Sequence, residues 1–232
     1  MAEEIDFETY LSISKNKFEI FLFDKKNLKS LYQNELKLES SIIDLEKLSN
    51  FLDENIFKIE KFSGKFIENI FLLIESDENL QVNICIKKKN YDKLINKKTL
   101  ENTLTEVKDL FKEAYQDQII MHMIINNYLI NGKNYFSFVD NLRSDYLCLE
   151  VKFLSISNHT ALAFDKILEK YQIKIKQYLN ANYIKNFIKE EKIEITEMAF
   201  RLKNGFNENE VILVPKNTEN KGFFEKFFQL FS

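Results

Sequence analysis

The chain has 232 residues, of which 45% are hydrophobic, and its 22 Phe and 10 Tyr supply enough apolar surface for a folded core. The formal net charge is −3, with Lys and Glu mixed along the sequence, which excludes the basic stripe of a nucleic-acid-binding protein. The acidic N-terminal stretch MAEEIDFETY predicts no signal peptide, and no apolar run approaches the roughly 20 residues of a membrane-spanning helix.

The first third of the chain predicts a small sheet with one helix. Short alternating and apolar runs separated by turn residues indicate strands. Apolar residues then recur at helical spacing until Ser63-Gly64 ends the helix. The predicted elements are strands over residues 10–14, 17–23, 28–39 and 67–74 and a helix over residues 43–62.

The rest of the chain alternates between strand and helix patterns. Ser157 or Asn158 is the predicted N-cap of the second helix of this part. The predicted strands cover residues 80–86, 118–130, 146–156 and 173–179. The predicted helices cover residues 99–115, 158–171, 181–189, 196–203 and 223–231.

The most informative stretch is QIIMHMIINNYLINGK, residues 118–133, which predicts a core strand ending in a turn at Asn131-Gly132. It resembles a strand in the extra subdomain of FtsA, the bacterial actin-like protein that ties the cell-division ring to the membrane. The matching residues are His122, Ile124, Tyr128, Ile130 and Asn131. The family has Pro where Ile125 stands and Gln-Glu where Asn126 and Asn127 stand.

The resemblance implies an α/β fold: a partial actin-like (ribonuclease H-like) lobe with an inserted small α+β subdomain of the SHS2 type and a C-terminal amphipathic helix. The lobe is expected over residues 1–78 and 172–205, and the inserted subdomain over residues 79–171. A linker over residues 206–221 then leads to a membrane-targeting helix over residues 222–232. The second lobe of the family is absent from this sequence.

The sequence predicts no enzyme, cofactor or metal site. The first hairpin reads Ser12-Ile13-Ser14-Lys15, where the family's phosphate loop has Asp, an apolar residue, Gly and Thr or Ser. The four glycines are too widely spaced for any phosphate-binding loop. Neither His122 nor His159 has an acid or Cys at metal-ligand spacing, and His122 is interpreted as structural. Cys85 and Cys148 lie in apolar strand patterns without CxxC spacing, which favours reduced core thiols in a cytoplasmic protein over a disulfide.

We therefore expect a non-enzymatic cell-division adaptor on the cytoplasmic side of the inner membrane, at the septum. Residues 222–232 place their apolar side chains on one half of a helix, which predicts binding to an anionic membrane surface. The expected membrane-binding residues are Phe223, Phe224, Lys226, Phe227, Phe228, Leu230 and Phe231. The expected partner-binding residues, for other division proteins and for a second copy of the chain, are Asn131, Lys133, Asn134, Tyr135 and Arg143.

Three alternatives remain open from the sequence. The chain also resembles PilM, the actin-like component of type IV pilus platforms, which shares the inserted subdomain. A small actin-like ATPase with a diverged phosphate site is the second, and a soluble α/β domain with an apolar C-terminus is the third. Direct binding to FtsZ is not expected, because the family's FtsZ-binding surface lies in the missing lobe.

Overall fold

The computed structural model describes residues 6–188 and 193–213, and these residues form nine strands and five helices. The strands are β1 Phe7–Ile13, β2 Lys17–Asp24, β3 Lys29–Lys37, β4 Asn69–Ile74, β5 Leu80–Ile95, β6 Gln118–Ile130, β7 Lys133–Tyr135, β8 Leu142–Ser157 and β9 Lys174–Asn180. The helices are α1 Leu45–Ser63, α2 Lys97–Ala114, α3 Asn158–Glu169, α4 Ala181–Ile188 and α5 Ile195–Lys203. The predicted helix over residues 222–232 and the linker after residue 213 lie outside the described residues. Among the five helices, none has both the length and the apolar composition needed to cross a membrane.

The chain divides into two compact units, which we call unit 1 and unit 2. The described part of unit 1 is residues 6–78 and 159–202, without 189–192, and that of unit 2 is residues 79–158 and 203–213. This division differs from the predicted boundary at residue 171, because α3 packs within unit 1. The Tyr178 hydroxyl of β9 donates to Asp165 Oδ1 in α3 (3.1 Å), and Lys170 Nζ donates to Ser49 Oγ in α1 (3.1 Å).

Unit 1 is built on a five-stranded sheet in the order β3-β2-β1-β4-β9. The first three strands pair antiparallel, whereas β4 lies parallel to β1 and β9 lies parallel to β4. β4 reads NIFLLI, and its last five residues are all buried. Such a continuous apolar run is typical of a strand that is covered on both faces, as central strands next to helical crossovers are.

α1 ends at Gly64 as its sequence predicts and begins at Leu45, two residues after the predicted start. Asp44 Oδ1 accepts the Lys47 N–H at 3.0 Å as the N-cap, and Gly64 ends the helix with φ of +69°. The buried side chains of α1 include Asn55, whose Oδ1 accepts the Tyr32 hydroxyl at 2.7 Å. Its Nδ2 donates to Phe51 O at 2.7 Å, so this buried amide is satisfied and ties α1 to β3.

Unit 2 is a four-stranded antiparallel sheet in the order β5-β8-β6-β7, with α2 packed on one face. Phe111 of α2 stacks on Phe153 of β8 with ring centroids 4.5 Å apart. Leu100, Leu104 and Val107 extend the same buried helix face. The core of unit 2 therefore lies between α2 and one side of the sheet.

The prediction that Cys85 and Cys148 are core thiols is wrong. Cys85 is exposed and Cys148 is half-buried. Side chains alternate between the two faces of a strand, and in β5 the residues Ile84 and Ile86 point into the core of unit 2. Cys85 lies between them and therefore points to the opposite face.

The prediction that a linker begins after residue 205 is also wrong for the described residues up to 213. Residues 209–211 lie antiparallel to β6 and extend the sheet at its edge. The Ile125 N–H donates to Asn209 O and the Val211 N–H donates to Met123 O, both at 2.8 Å. Val211 is buried in the core of unit 2, so this apolar segment is part of the fold.

Candidate functional site

The predicted partner-binding residues lie around the tight turn between β6 and β7. Asn131 and Gly132 have φ of +49° and +78°, the left-handed pair that a two-residue hairpin turn requires. Asn131 Oδ1 accepts the Ser144 hydroxyl at 2.8 Å and the Asp145 N–H at 3.2 Å. Asn131 Nδ2 donates to Arg143 O at 3.0 Å. Asn131 is thus a structural residue that ties the turn to the start of β8.

The other four predicted residues divide into two groups. Tyr135 packs partly buried against the core of unit 2, and it therefore has a structural role. Lys133, Asn134 and Arg143 are exposed. The Arg143 guanidinium donates to Asp92 O at 3.1 Å, and it remains exposed.

Exposed aromatic side chains flank these residues. Tyr91 is 73% exposed and Phe136 is 78% exposed. We call the set of residues 91–92, 131–136 and 143–146 the hairpin end. Aromatic and arginine side chains are enriched in protein interfaces, where they supply large contact areas and, for arginine, several hydrogen-bond donors. The hairpin end thus combines the exposed Tyr91 and Phe136 with the exposed Lys133 and Arg143, and periodicity alone did not predict the two aromatic residues as part of it.

A second candidate site is the cleft of about 380 Å³ beside the β1–β2 hairpin of unit 1. Its lining includes Ser14, Lys15 and Asn16 from the hairpin. The Ser14 N–H donates to Lys17 O at 2.9 Å, and the Ser14 hydroxyl donates to Asn16 Oδ1 at 2.7 Å. These groups satisfy one another within the turn and do not converge on the cleft.

The charges around this cleft come mainly from acids at the end of β4. Glu75, Asp77 and Glu78 all line it. Lys15 Nζ lies 3.0 Å from Asp77 Oδ2, and Lys185 forms an ion pair with Glu75. Each of these lysines is thus engaged by a carboxylate, which disfavours a polyphosphate at this position. His159 also lines the cleft and is exposed, as the sequence predicts for a residue at the start of a helix.

Glu210 is an acid beside His122 that the sequence did not predict. His122 is 1% exposed, and its Nδ1 lies 2.6 Å from Glu210 Oε1. The two residues are 88 positions apart, so no local spacing signals the pair. They meet because residues 209–211 lie along β6. Nearby, burial and then the charge of Glu208 raise the pKa of Tyr128 well above its ordinary value, and its hydroxyl donates to Asn209 Oδ1 at 3.3 Å.

Among the described residues, no group of three or more His, Cys, Asp or Glu side chains is arranged to hold a metal ion. No protein-family model matches the sequence, and no curated protein matches it.

Similarity to known proteins is found at the level of structure. A chain of the PilM–PilN type IV pilus biogenesis complex is similar over 80% of this chain and 50% of its own length, with a TM-score of 0.53 and 8% identity. A Bacteroides thetaiotaomicron protein with an actin-like ATPase fold and unknown function is similar over 81% of this chain and 58% of its own length, with a TM-score of 0.38 and 15% identity. The cytoplasmic domain of EpsL, an inner membrane component of the type II secretion system of Vibrio cholerae, is similar over 77% of this chain and 57% of its own length. The TM-score is 0.34 and the identity is 10%.

This chain therefore spans between 50% and 58% of the length of these three chains. At 8% identity, the likeness to the PilM–PilN complex concerns the fold alone. The described residues form a mixed α/β fold whose two sheets resemble part of an actin-like fold.

Proposed function

We propose that the protein is a non-enzymatic adaptor of a membrane-associated assembly, comparable to the pilus-platform component PilM. The observation that carries this proposal is the likeness of its fold to a chain of the PilM–PilN complex over 80% of its length. The name of that complex states that it joins PilM and PilN in type IV pilus biogenesis. We extend the binding of a protein partner, and no enzymatic activity, to this chain.

The β1–β2 hairpin supports a role without nucleotide hydrolysis. A phosphate loop needs backbone N–H groups that point at the anion, which glycine permits because it has no side chain. In this hairpin Ser14, Lys15 and Asn16 occupy the turn, and the Ser14 N–H is bonded to Lys17 O. The neighbouring carboxylates would also repel phosphate.

The hairpin end of unit 2 is the proposed partner surface. It carries the exposed Tyr91 and Phe136 together with the cationic Lys133 and Arg143. The hydrogen bonds of Asn131 hold its turn to β8, so the backbone of the turn is already ordered before binding and loses little conformational entropy on association.

A membrane location is part of the proposal and rests on the sequence of residues 222–232. Phe223, Phe227 and Phe231 recur every four residues, while Glu225, Lys226 and Gln229 fall on the other side of a helical projection. Such a segment suits the interface of an anionic bilayer. The proposed location is accordingly the cytoplasmic face of the inner membrane.

A second candidate is an adaptor of the cell-division ring, comparable to FtsA. Its specific support is the 118–133 motif, whose strand and Asn-Gly turn correspond to β6, the turn and the first residue of β7. Site-specific photo-cross-linking at Phe136 in the source organism separates the two candidates. We expect covalent adducts with pilus-platform proteins, whereas adducts with division proteins would favour the second candidate. A cross-linker at Phe57, an exposed phenylalanine of unit 1, is the control position.

Calorimetric titration with Mg-ATP tests the non-enzymatic part. We expect no heat of binding at micromolar nucleotide. Saturable micromolar binding would overturn this part of the proposal and would favour a diverged actin-like ATPase.

A further inference from the structure

Two cysteines from neighbouring strands lie side by side on the face of the unit 2 sheet that is opposite α2. Cys85 is in β5 and Cys148 is in β8, and their Sγ atoms are 3.3 Å apart. The strand register places Cys85 opposite Glu150 and Lys87 opposite Cys148, so the two thiols are diagonal neighbours. At this distance the two sulfur atoms are in van der Waals contact, so no other side chain lies between them.

The position of the pair permits a covalent bond with a small local movement. A disulfide needs its sulfur atoms about 2 Å apart and its Cα atoms within about 7 Å. Diagonal neighbours in an antiparallel sheet lie about 7–8 Å apart, at or just beyond that Cα limit, so the bond forms only if the backbone of one strand shifts. β5 is an edge strand of the described sheet, and its pairing with β8 is already interrupted between Lys89 and Lys93. An edge strand of this kind can shift toward its neighbour without disturbing a third strand.

We propose that Cys85 and Cys148 form a redox-modification site, at which hydrogen peroxide converts the two thiols into a reversible cross-strand disulfide. The thiolate of Cys85 attacks one peroxide oxygen, the O–O bond breaks, and the departing oxygen leaves as water after protonation. The Cys148 sulfur then attacks the Cys85 sulfenic acid, the S–O bond breaks, and the second oxygen also leaves as water. Two thiols and one hydrogen peroxide thus give one disulfide and two waters.

The surroundings assign the two thiols different roles. Cys85 is exposed and meets dissolved hydrogen peroxide first, whereas Cys148 is half-buried. Desolvation, followed by its contact with Cys85, raises the pKa of Cys148 to about 11, and the charge of Lys87 only partly opposes this. Cys148 is therefore a poor first nucleophile, and its place against Cys85 makes it the resolving thiol. Lys87 remains beside the pair because its ammonium lies over the Tyr146 ring, 4.3 Å from the centroid.

The disulfide would fix the edge strand β5 to β8. Solvent-accessible disulfides are the labile ones, which a thiol reductant reaches directly. The proposal is independent of the proposed function, because it rests only on the geometry of unit 2.

The experiment uses the whole chain in its reduced form, in a buffer without denaturant. The protein is exposed to hydrogen peroxide and quenched with N-ethylmaleimide, and intact mass and peptide mapping follow. We expect a product that has lost two hydrogen atoms, takes up no maleimide and yields a peptide joining Cys85 to Cys148. Treatment with dithiothreitol restores two reactive thiols. The single variants Cys85→Ser and Cys148→Ser are matched controls, and neither forms this monomeric product.

The same oxidation in concentrated urea shows whether the fold is responsible. We expect the disulfide to form at least about tenfold faster in the native protein, because the fold holds the thiols in contact. Equal or slower formation in the native state would overturn the proposal. So would a main product with two free thiols, with sulfinic or sulfonic acid, or with an intermolecular disulfide.

Discussion

Glu210 is the residue through which the last described segment reaches the interior of unit 2. Its carboxylate lies 2.6 Å from His122 Nδ1, and the exposed fractions of the two side chains are 9% and 1%. Burying polar groups is unfavourable unless they are paired, so each residue makes the burial of the other tolerable. The pair therefore fixes the register of residues 209–211 against β6 more than it adds net stability.

Replacing Glu210 tests this role. We expect Glu210→Ala to lower the free energy of unfolding by about 1–3 kcal/mol, because His122 keeps its buried position but loses the carboxylate. Glu208→Ala removes the same group from an exposed position two residues away and should change stability by less than about 0.5 kcal/mol. Urea unfolding followed by circular dichroism measures both variants, and equal losses would contradict the assigned role.

The buried Tyr128 makes the stability of the fold decrease at alkaline pH. Burial raises the pKa of Tyr128 above the value of about 10 that the unfolded chain has. Above that pH the unfolded state releases the phenolic proton while the folded state retains it, so rising pH favours unfolding. The stability linked to Tyr128 is complete below about pH 10 and decreases as the pH rises further.

We expect Tyr128→Phe to reduce this loss of stability between about pH 8 and about pH 11 by about 1 kcal/mol. The measurement is urea unfolding at both values for the wild type and the variant. Tyr91→Phe removes an exposed hydroxyl from the same unit and should leave the pH dependence unchanged. Identical pH dependence of all three proteins would show that Tyr128 titrates normally.

At the scale of elements, residues 209–211 cover part of an open sheet edge. An exposed strand edge presents unpaired N–H and C=O groups that can pair with another chain. Here the Ile125 N–H and Met123 O are both satisfied by this segment. The short segment thus completes β6 in the region that β7 does not reach.

Val211→Pro tests this pairing, because proline has no N–H to donate to Met123 O. Val211→Ala is the matched control, since it keeps the N–H and loses only side-chain packing. We expect the Ile125 amide to exchange its hydrogen about tenfold faster in the proline variant than in the alanine variant. Equal exchange rates would mean that the segment is held by its side chains alone.

At the scale of the whole molecule, two units share one chain in an interleaved order. Unit 1 takes residues from both sides of residues 79–158, and unit 2 takes its last residues from beyond unit 1. The membrane proposal adds residues 222–232, which lie outside the described residues. A single amphipathic segment of this length binds weakly, because ordering it costs about 1–2 kcal/mol per residue. Several copies assembled at one site bind far more tightly.

Vesicle flotation tests the membrane proposal with vesicles that contain phosphatidylglycerol. We expect the full chain to float and a chain ending at Asn220 to remain in the dense fraction. Phe227→Glu should reduce flotation, because it places a charge among the apolar side chains, each worth about 1.5–3 kcal/mol when buried. Gln229→Glu introduces the same charge on the polar side and should retain most of the flotation. Equal flotation of all four proteins would exclude this segment as the anchor.

The sequence by itself determined the local structure of the described chain. The helical spacing in α1, its Asp44 and Gly64 caps, and the Asn131-Gly132 turn all depend on residues within a few positions of one another. Side-chain periodicity reports such local preferences directly. The resemblance based on the 118–133 motif also predicted the actin-like character of the fold in outline.

Only the tertiary structure decided which distant residues meet. His122 and Glu210 are 88 positions apart, and Cys85 and Cys148 are 63 positions apart. Their contacts depend on strand order, register and the return of residues 209–211 to β6, none of which a local pattern encodes. The apolar run Val211–Leu213 was predicted as part of a linker, because the strand that it packs against lies some 80 residues earlier in the sequence. Packing of α3 within unit 1 was hidden for the same reason, since periodicity shows that a helix has an apolar face but not which sheet covers it.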